Sequence, residues 1–208
     1  MEVIDLFSGL GGFSEGFLDR GHKVTRYDYN EDFRDVPGTI IKDIFDLTAD
    51  DLQHADVILA SPDCTYFTYA NAQPDKDKLK FALKLAKHTL NIIQEANPRY
   101  YIIENPPGRI KKVLGLPTII TAWGFWGTPY LKPTWLWGKI PDITWLTRYK
   151  EPIPKETWDL DRYKKNKFSY LCDTDPKQRS LIPKLFSLVL CKAIENEAPG
   201  QSTLTEFT

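Results

Sequence analysis

Short apolar runs, each ended by a polar residue, alternate with stretches of helical periodicity along the first half of the chain. The strand candidates are Glu2–Leu6, Lys23–Asp28, Thr39–Ile41, Asp56–Ala60 and Tyr100–Glu104. Phe13–Arg20 reads as a helix. So does Lys78–Ala96, where Leu79, Ala82, Leu83, Ala86, Leu90 and Ile93 recur at steps of three and four and form one apolar stripe. Strands alternating with helices predict an α/β fold: a Rossmann-like mixed, mostly parallel sheet with helices on both faces. After Pro107 the texture changes. The apolar–aromatic runs Thr121–Gly127 and Thr134–Gly138 flank a turn-like T-P-Y-L-K-P and predict a C-terminal antiparallel hairpin at the sheet edge. Residues 139–178 are polar, proline-bearing and irregular, which predicts a small insert. A last helix is expected over Leu181–Asn196 and a flexible tail over 199–208. Residues 1–138 and 179–198 would then form one catalytic domain.

Composition narrows the class. At 208 residues with 42% hydrophobic content, one ordinary domain with a core is expected. No apolar run reaches the roughly 18 residues that span a bilayer, and no secretory pattern opens the chain. Three cysteines, Cys64, Cys172 and Cys191, are widely spaced and form no metal pattern with His22, His54 and His88. A reducing, cytoplasmic setting is the expectation, with no metal and no membrane partner. The net charge of −1 hides a segregation: residues 1–75 carry 5 basic and 15 acidic side chains, and residues 76–180 carry 20 basic and 10 acidic. A basic face toward a polyanion and an ordinary solvated lysine surface both fit that pattern.

Candidate chemistry collects at strand ends. Gly9, Gly11 and Gly12 follow the first strand and lead into a helix, the unit at which open sheets hold nucleotide-like cofactors. The turn departs from G-x-G-x-x-G at Ser14, which leaves S-adenosylmethionine an equal or better candidate than NAD. Asp28 ends the second strand, where a carboxylate can accept ribose hydroxyls, and Asp43 follows the third. Cys64 lies on the loop A-S-P-D-C-T just past the fourth strand, and Glu104 ends the fifth. A thiol there can act as a nucleophile once ionised. A desolvated glutamate can stay protonated and donate a hydrogen bond. Each alone also reads as an ordinary turn or core residue; together they converge on one sheet edge.

These residues resemble the cytosine-C5 DNA methyltransferase family. D-L-F-S-G-L-G-G-F is similar to its first motif, S-P-D-C to its Pro-Pro-Cys nucleophile motif, and I-E-N-P to its Glu-Asn-Val motif. K-P-T-W-L-W-G and R-S-L-I-P-K-L resemble compact viral and phage-type members. The resemblance implies S-adenosylmethionine as cofactor and a duplex DNA cytosine flipped from the stack. Cys64 would attack C6, with Glu104 bonded to the ring. Phe7, Ser8, Gly9, Leu10, Gly11 and Gly12 would line the cofactor, Asp28 and Tyr29 its ribose side, and Asp43 and Ile44 its adenine. Pro62 would separate cofactor from base, with Ser180 and Leu181 in the last cofactor motif. Asn105, Lys132, Thr134, Arg162, Lys164 and Lys165 would meet the substrate, and Thr65–Lys78 would close as a lid. A paired restriction nuclease or a specificity partner is the protein partner the family allows.

Three departures stand out. Asp63 replaces the proline before the cysteine, which should raise the thiol pKa. The arginine-rich motif appears as Tyr130, Lys132 and Thr134. Only about forty residues, 139–178, are free for target recognition. The same chemistry on RNA or single-stranded DNA, and a non-catalytic nucleic-acid-binding homologue, remain open on the sequence.

Overall fold

A computed structural model describes residues 1–128, 132–141, 143 and 181–196. The strands are β1 (Glu2–Leu6), β2 (Lys23–Asp28), β3 (Thr39–Ile41), β4 (Val57–Ala60), β5 (Tyr100–Asn105), β6 (Ile119–Ala122) and β7 (Pro133–Lys139). The helices are α1 (Glu15–Asp19), α2 (Ala49–Leu52), α3 (Lys76–Ala96), α4 (Lys111–Leu114) and α5 (Lys184–Asn196). All seven strands form one sheet in the order β3-β2-β1-β4-β5-β7-β6. β1 to β5 run parallel, and β7 lies antiparallel between β5 and β6.

Side chains of the central strands alternate between two cores, as the pleat requires. Val3, Val57, Leu59 and Ile102 face α1 and α5. Ile4, Leu6, Ile58, Ala60 and Ile103 face α2, α3 and the segment around Ile110. Helices therefore cover both faces, and the near-continuous apolar runs of β4 and β5 follow from burial on both sides. The register then sets the site. Leu6 pairs with Ala60, and Ala60 with Ile103. The glycine turn, the Cys64 loop and Glu104 thus leave the sheet at one level of one rim.

α3 matches its apolar stripe and starts at Lys76, two residues before the expected start. Asp75 caps it, accepting from the N–H groups of Asp77 and Lys78 at 3.0 and 2.9 Å. Asn97 ends it in the left-handed region. α1 is shorter than expected because Ser14 N–H bonds back to the Gly11 carbonyl, continuing the turn. α5 begins at Lys184 rather than Leu181. The hairpin is present, but its first strand sits upstream of the expected Thr121–Gly127. Trp123–Trp126 forms a 3-10 turn instead. Trp123 and Trp126 pack on Phe186 with ring centroids 5.1 and 4.9 Å away, and Trp126 Nε1–H donates to Thr121 Oγ1 at 3.0 Å. Burial of two indoles against α5 outweighs the local extended preference. The short helix α4 carries no sequence signal, whereas α2 opens on a T-x-x-D capping box formed by Thr48 and Asp51. The expected insert lies outside the described residues apart from 139–141 and 143, as does the tail.

α5 closes on α1 at a glycine. Ser187 Oγ accepts from Gly16 N–H at 2.8 Å and donates to the Phe13 carbonyl at 2.6 Å. A Cβ on Gly16 would stand 2.3 Å from Leu188 N and 2.4 Å from Ser187 C, both backbone atoms. Beside this contact Glu195 pairs with Arg20 at 2.7 Å and His22 at 2.9 Å, close to the buried Cys191. Gly16→Ala should therefore separate the two helices and cost on the order of 3 kcal/mol. Chemical denaturation measures this, and a loss within about 0.5 kcal/mol, the range of a neutral surface change, would contradict the contact.

Candidate active site

The turn after β1 is held from inside. Asp5 and Ser14 are fully buried, and Arg26 is 1% exposed. Ser14 Oγ donates to Asp5 Oδ2 at 2.7 Å and accepts from Arg26 Nε at 2.9 Å. The guanidinium also donates to the carbonyls of Gly11 at 3.1 Å and Pro37 at 2.8 Å, and meets Glu15 at 3.4 Å. Burial pushes the Asp5 carboxyl up to about 7; the Ser14 hydroxyl and Arg26 oppose the rise, and Asp28 adds to it. A Cβ on Gly11 would lie 2.5 Å from the Arg26 guanidinium, and one on Gly12 2.6 Å from the Ile182 carbonyl. Those two glycines are required by the protein's own packing. Gly9 has φ +51°, and a Cβ there would meet only Phe33 Cζ at an ordinary 3.9 Å, while Phe7 adopts φ +59°. A left-handed phenylalanine is strained, and such residues cluster at ligand clamps.

Two cavities open along this rim. The first, about 120 Å³, is lined among others by Asp5, Ser8, Ser61, Cys64, Glu104 and Lys132. The second, about 330 Å³, is lined among others by Asp28, Tyr29, Asp43, Ile44, Tyr66 and Phe81. Phe7 and Asp63 belong to both. The first holds four buried side-chain atoms without a hydrogen-bond partner: Asp5 Oδ1, Ser8 Oγ, Ser61 Oγ and Glu104 Oε1. Orphaned polar atoms are rare in folded chains, and this concentration is what a cavity built for a polar ligand shows. In the second, Asp28 accepts from Gly9 N–H and Asn30 N–H, both at 2.9 Å, and joins the glycine turn to β2. Asp43 caps the next turn through Phe45 N–H.

Cys64 and Glu104 both line the first cavity. Cys64 is half-buried, and burial pushes its thiol up to about 11. Lys132 opposes that rise, while Glu104 and Asp63 add to it. Glu104 is buried, and desolvation raises its carboxyl pKa against the opposing charge of Lys132. Asn105 is fully buried and donates from Nδ2 to the Pro62 carbonyl at 2.7 Å, tying β5 to the cysteine loop. Thr134 is buried behind Lys132.

The segment after Cys64 is fastened. Phe67 is fully buried, and its carbonyl accepts from Arg109 N–H at 2.7 Å. The Arg109 guanidinium donates to the carbonyls of Thr68, Asn71 and Ala72. Residues 67–72 are thus pinned to the loop after Glu104, where the sequence suggests a lid. Of the other expected residues, Ser8, Leu10, Pro62 and Leu181 line the first cavity, and Gly11 lines neither. Ser180, Arg162, Lys164 and Lys165 lie outside the described residues. Sequence reasoning missed Asp5, Ser61 and Phe81, and took Tyr66 only as part of the Thr65–Lys78 segment. The hints were Asp5, an acid inside an apolar strand, and Phe81, an aromatic off the apolar stripe of α3 and 58% exposed. It also missed that His22, Cys191 and Glu195 bring ligand-type atoms within 4.8 Å of one another.

The sheet order and the cofactor-type rim define a methyltransferase fold. The structure is similar to a DNA modification methyltransferase encoded within an E. coli prophage (TM-score 0.51, 20% identity, 75% of this chain and 49% of that one). It is also similar to the S. pombe Dnmt2 methyltransferase (TM-score 0.52, 21% identity, 74% and 56%). In sequence it is 31% identical over 137 residues to a protein named as a type II methyltransferase of Methanocaldococcus jannaschii, covering 54% of this chain and 43% of that one. The chain spans about half the length of these relatives. The model of the C-5 cytosine-specific DNA methylase family matches residues 1–116, and the chain belongs to that family. No helix among the described residues is long and apolar enough to cross a membrane.

Alkylation of Cys64 should accelerate about tenfold per pH unit from pH 7 to pH 10 without a plateau, because only the thiolate reacts. Mass spectrometry of the Cys64 peptide checks this, and a plateau near pH 8 would contradict it. Asp5 has a folded pKa above its unfolded 3.8. Ionisation on raising the pH therefore costs the folded state. Its contribution to stability falls between about pH 4 and pH 7, by about 1.4 kcal/mol for each pH step crossed, and is constant above. The stability difference between wild type and Asp5→Asn, followed by urea unfolding, should shift in the variant's favour across that window. A pH-independent difference would show that the carboxyl is not perturbed.

Proposed function

We propose that this chain is the catalytic body of an S-adenosylmethionine-dependent methyltransferase acting on C5 of cytosine in DNA. One observation carries the reading: Cys64 and Glu104 line the same cavity as the glycine turn, and that cavity meets a second one edged by Asp28 and Asp43. Family membership supports the methyl-transfer chemistry and the DNA substrate. The donor set suits the cofactor. Apolar and aromatic walls with two acids suit adenosine in the second cavity, and the orphaned polar atoms of the first suit an amino-acid end. Phe7, Asp28, Tyr29, Asp43 and Ile44 would hold the nucleoside side, and Ser8 to Gly12, Pro62 and Leu181 the methionine side. When bound, the cofactor supplies an electrophilic sulfonium methyl to C5.

This chain's residues prepare the base. Cytosine C5 is too electron-poor to react unaided, so covalent activation is needed. The Cys64 thiolate adds to C6. Protonated Glu104 donates to N3 and takes up the negative charge that addition places on the ring. Loss of the C5 proton to water, return of the N3 proton to Glu104 and expulsion of the thiolate from C6 as the C5–C6 double bond re-forms restore the aromatic ring and free the enzyme. A neutral Glu104 serves twice, because it also removes one of the charges that oppose ionisation of Cys64. Lys132, beside both groups, favours the thiolate. Asn105 and Thr134 position the loop and the lysine.

A duplex oligonucleotide carrying 5-fluorocytosine should form a covalent adduct with the wild type in the presence of S-adenosylmethionine. Cys64→Ser should form none while keeping cofactor affinity, and Glu104→Gln should slow methyl transfer by about 10²-fold or more. Single-stranded DNA and RNA probes test the substrate. A preference for either would replace duplex DNA, and no adduct on any probe would end the catalytic reading.

A further inference from the structure

Among the described residues, Phe7 and Asp63 alone line both cavities, so a ligand that fills the two must pass between them. In S-adenosylmethionine the atom joining the nucleoside to the amino-acid chain is the sulfonium sulfur, which carries the positive charge. We infer that the Asp63 carboxylate selects the sulfonium form of the cofactor over S-adenosylhomocysteine, whose sulfur is an uncharged thioether. The inference rests on the cofactor assignment above and concerns a position at which the chain departs from the Pro-Cys pattern.

Three observations support it. The carboxylate is held in place: Thr65 N–H and Thr65 Oγ1–H both donate to Asp63 Oδ1, at 2.9 and 2.6 Å, which leaves Oδ2 to a ligand. The other acids of the second cavity have structural partners, since Asp28 accepts two backbone N–H groups and Asp43 one. Its lysine, Lys42, pairs with Asp51 at 3.3 Å. Lastly, the Asp63 charge opposes ionisation of Cys64, so it is unfavourable to the nucleophile and favourable to a cation at the junction. Asp63 is exposed in the free protein. A ligand seated there would cover it and strengthen the attraction as water leaves.

The consequence is kinetic as well as thermodynamic. Transfer of the methyl group removes the positive charge, so the attraction that holds the donor disappears in the product. Asp63 would therefore assist release of the spent cofactor.

Isothermal titration of wild type and Asp63→Asn with each ligand tests this. Asparagine keeps the turn, because its carbonyl oxygen can still accept from Thr65. The variant should bind S-adenosylmethionine about three- to tenfold more weakly, the size of one partly screened charge pair. Its affinity for S-adenosylhomocysteine should stay within about twofold, as expected where no charge is opposed. Raising the salt concentration should shrink the wild-type preference and leave the variant's unchanged. An equal change for both ligands, or none for either, would overturn the role of Asp63 with the cofactor assignment intact. Failure of the wild type to bind either ligand would instead overturn the cofactor assignment, and this inference with it.

Discussion

The guanidinium of Arg26 reaches beneath the glycine turn and holds it from the protein side. Desolvating a charge costs several kcal/mol unless hydrogen bonds and a counter-charge offset it. Here Ser14, the Gly11 and Pro37 carbonyls and Glu15 supply them. The result is a rigid link from β2, through Ser14, to Asp5 on β1. The same cation occupies the space a side chain at position 11 would need. The turn's shape is therefore set before any ligand arrives, and Phe7 and Gly9 can hold left-handed conformations because the surroundings over-determine them.

With the turn fixed, the two chemical groups of the rim constrain each other. Burial disfavours charge on both Cys64 and Glu104, the Glu104 charge further opposes ionisation of Cys64, and Lys132 works against both shifts. Under the proposed function, this environment suits a reaction that calls on a thiolate and a carboxylic acid together. The extent of burial that shifts both groups follows from the fold, and neither residue's place in the sequence gives it.

The sequence revealed most of what the backbone pattern controls. β1, β2 and β3 end where their apolar runs end, and α3 follows its stripe, because periodicity and burial agree there. The rim could be placed because Asp28, Cys64 and Glu104 each stand at or just past the carboxyl end of a strand in a parallel sheet. Three things were hidden. The Trp123–Trp126 turn depends on Phe186, more than fifty residues away. Arg26 looks like any polar strand residue until Ser14 and Gly11 are seen around it. Arg109, which pins residues 67–72, sits in an unremarkable loop, and its three carbonyl partners carry no sequence signature. In each case a contact distant in sequence decided the local structure.

Ile143 is fully buried and Ile182 is 4% exposed, and both sit in the same core beside α1 and α5. Both ends of the intervening sequence are therefore anchored in one packed unit. The entropy of closing a loop grows only with the logarithm of its length, by about 0.6 kcal/mol per doubling. A longer or shorter segment between these two isoleucines is therefore a small thermodynamic change, and the sheet and its rim do not depend on its length.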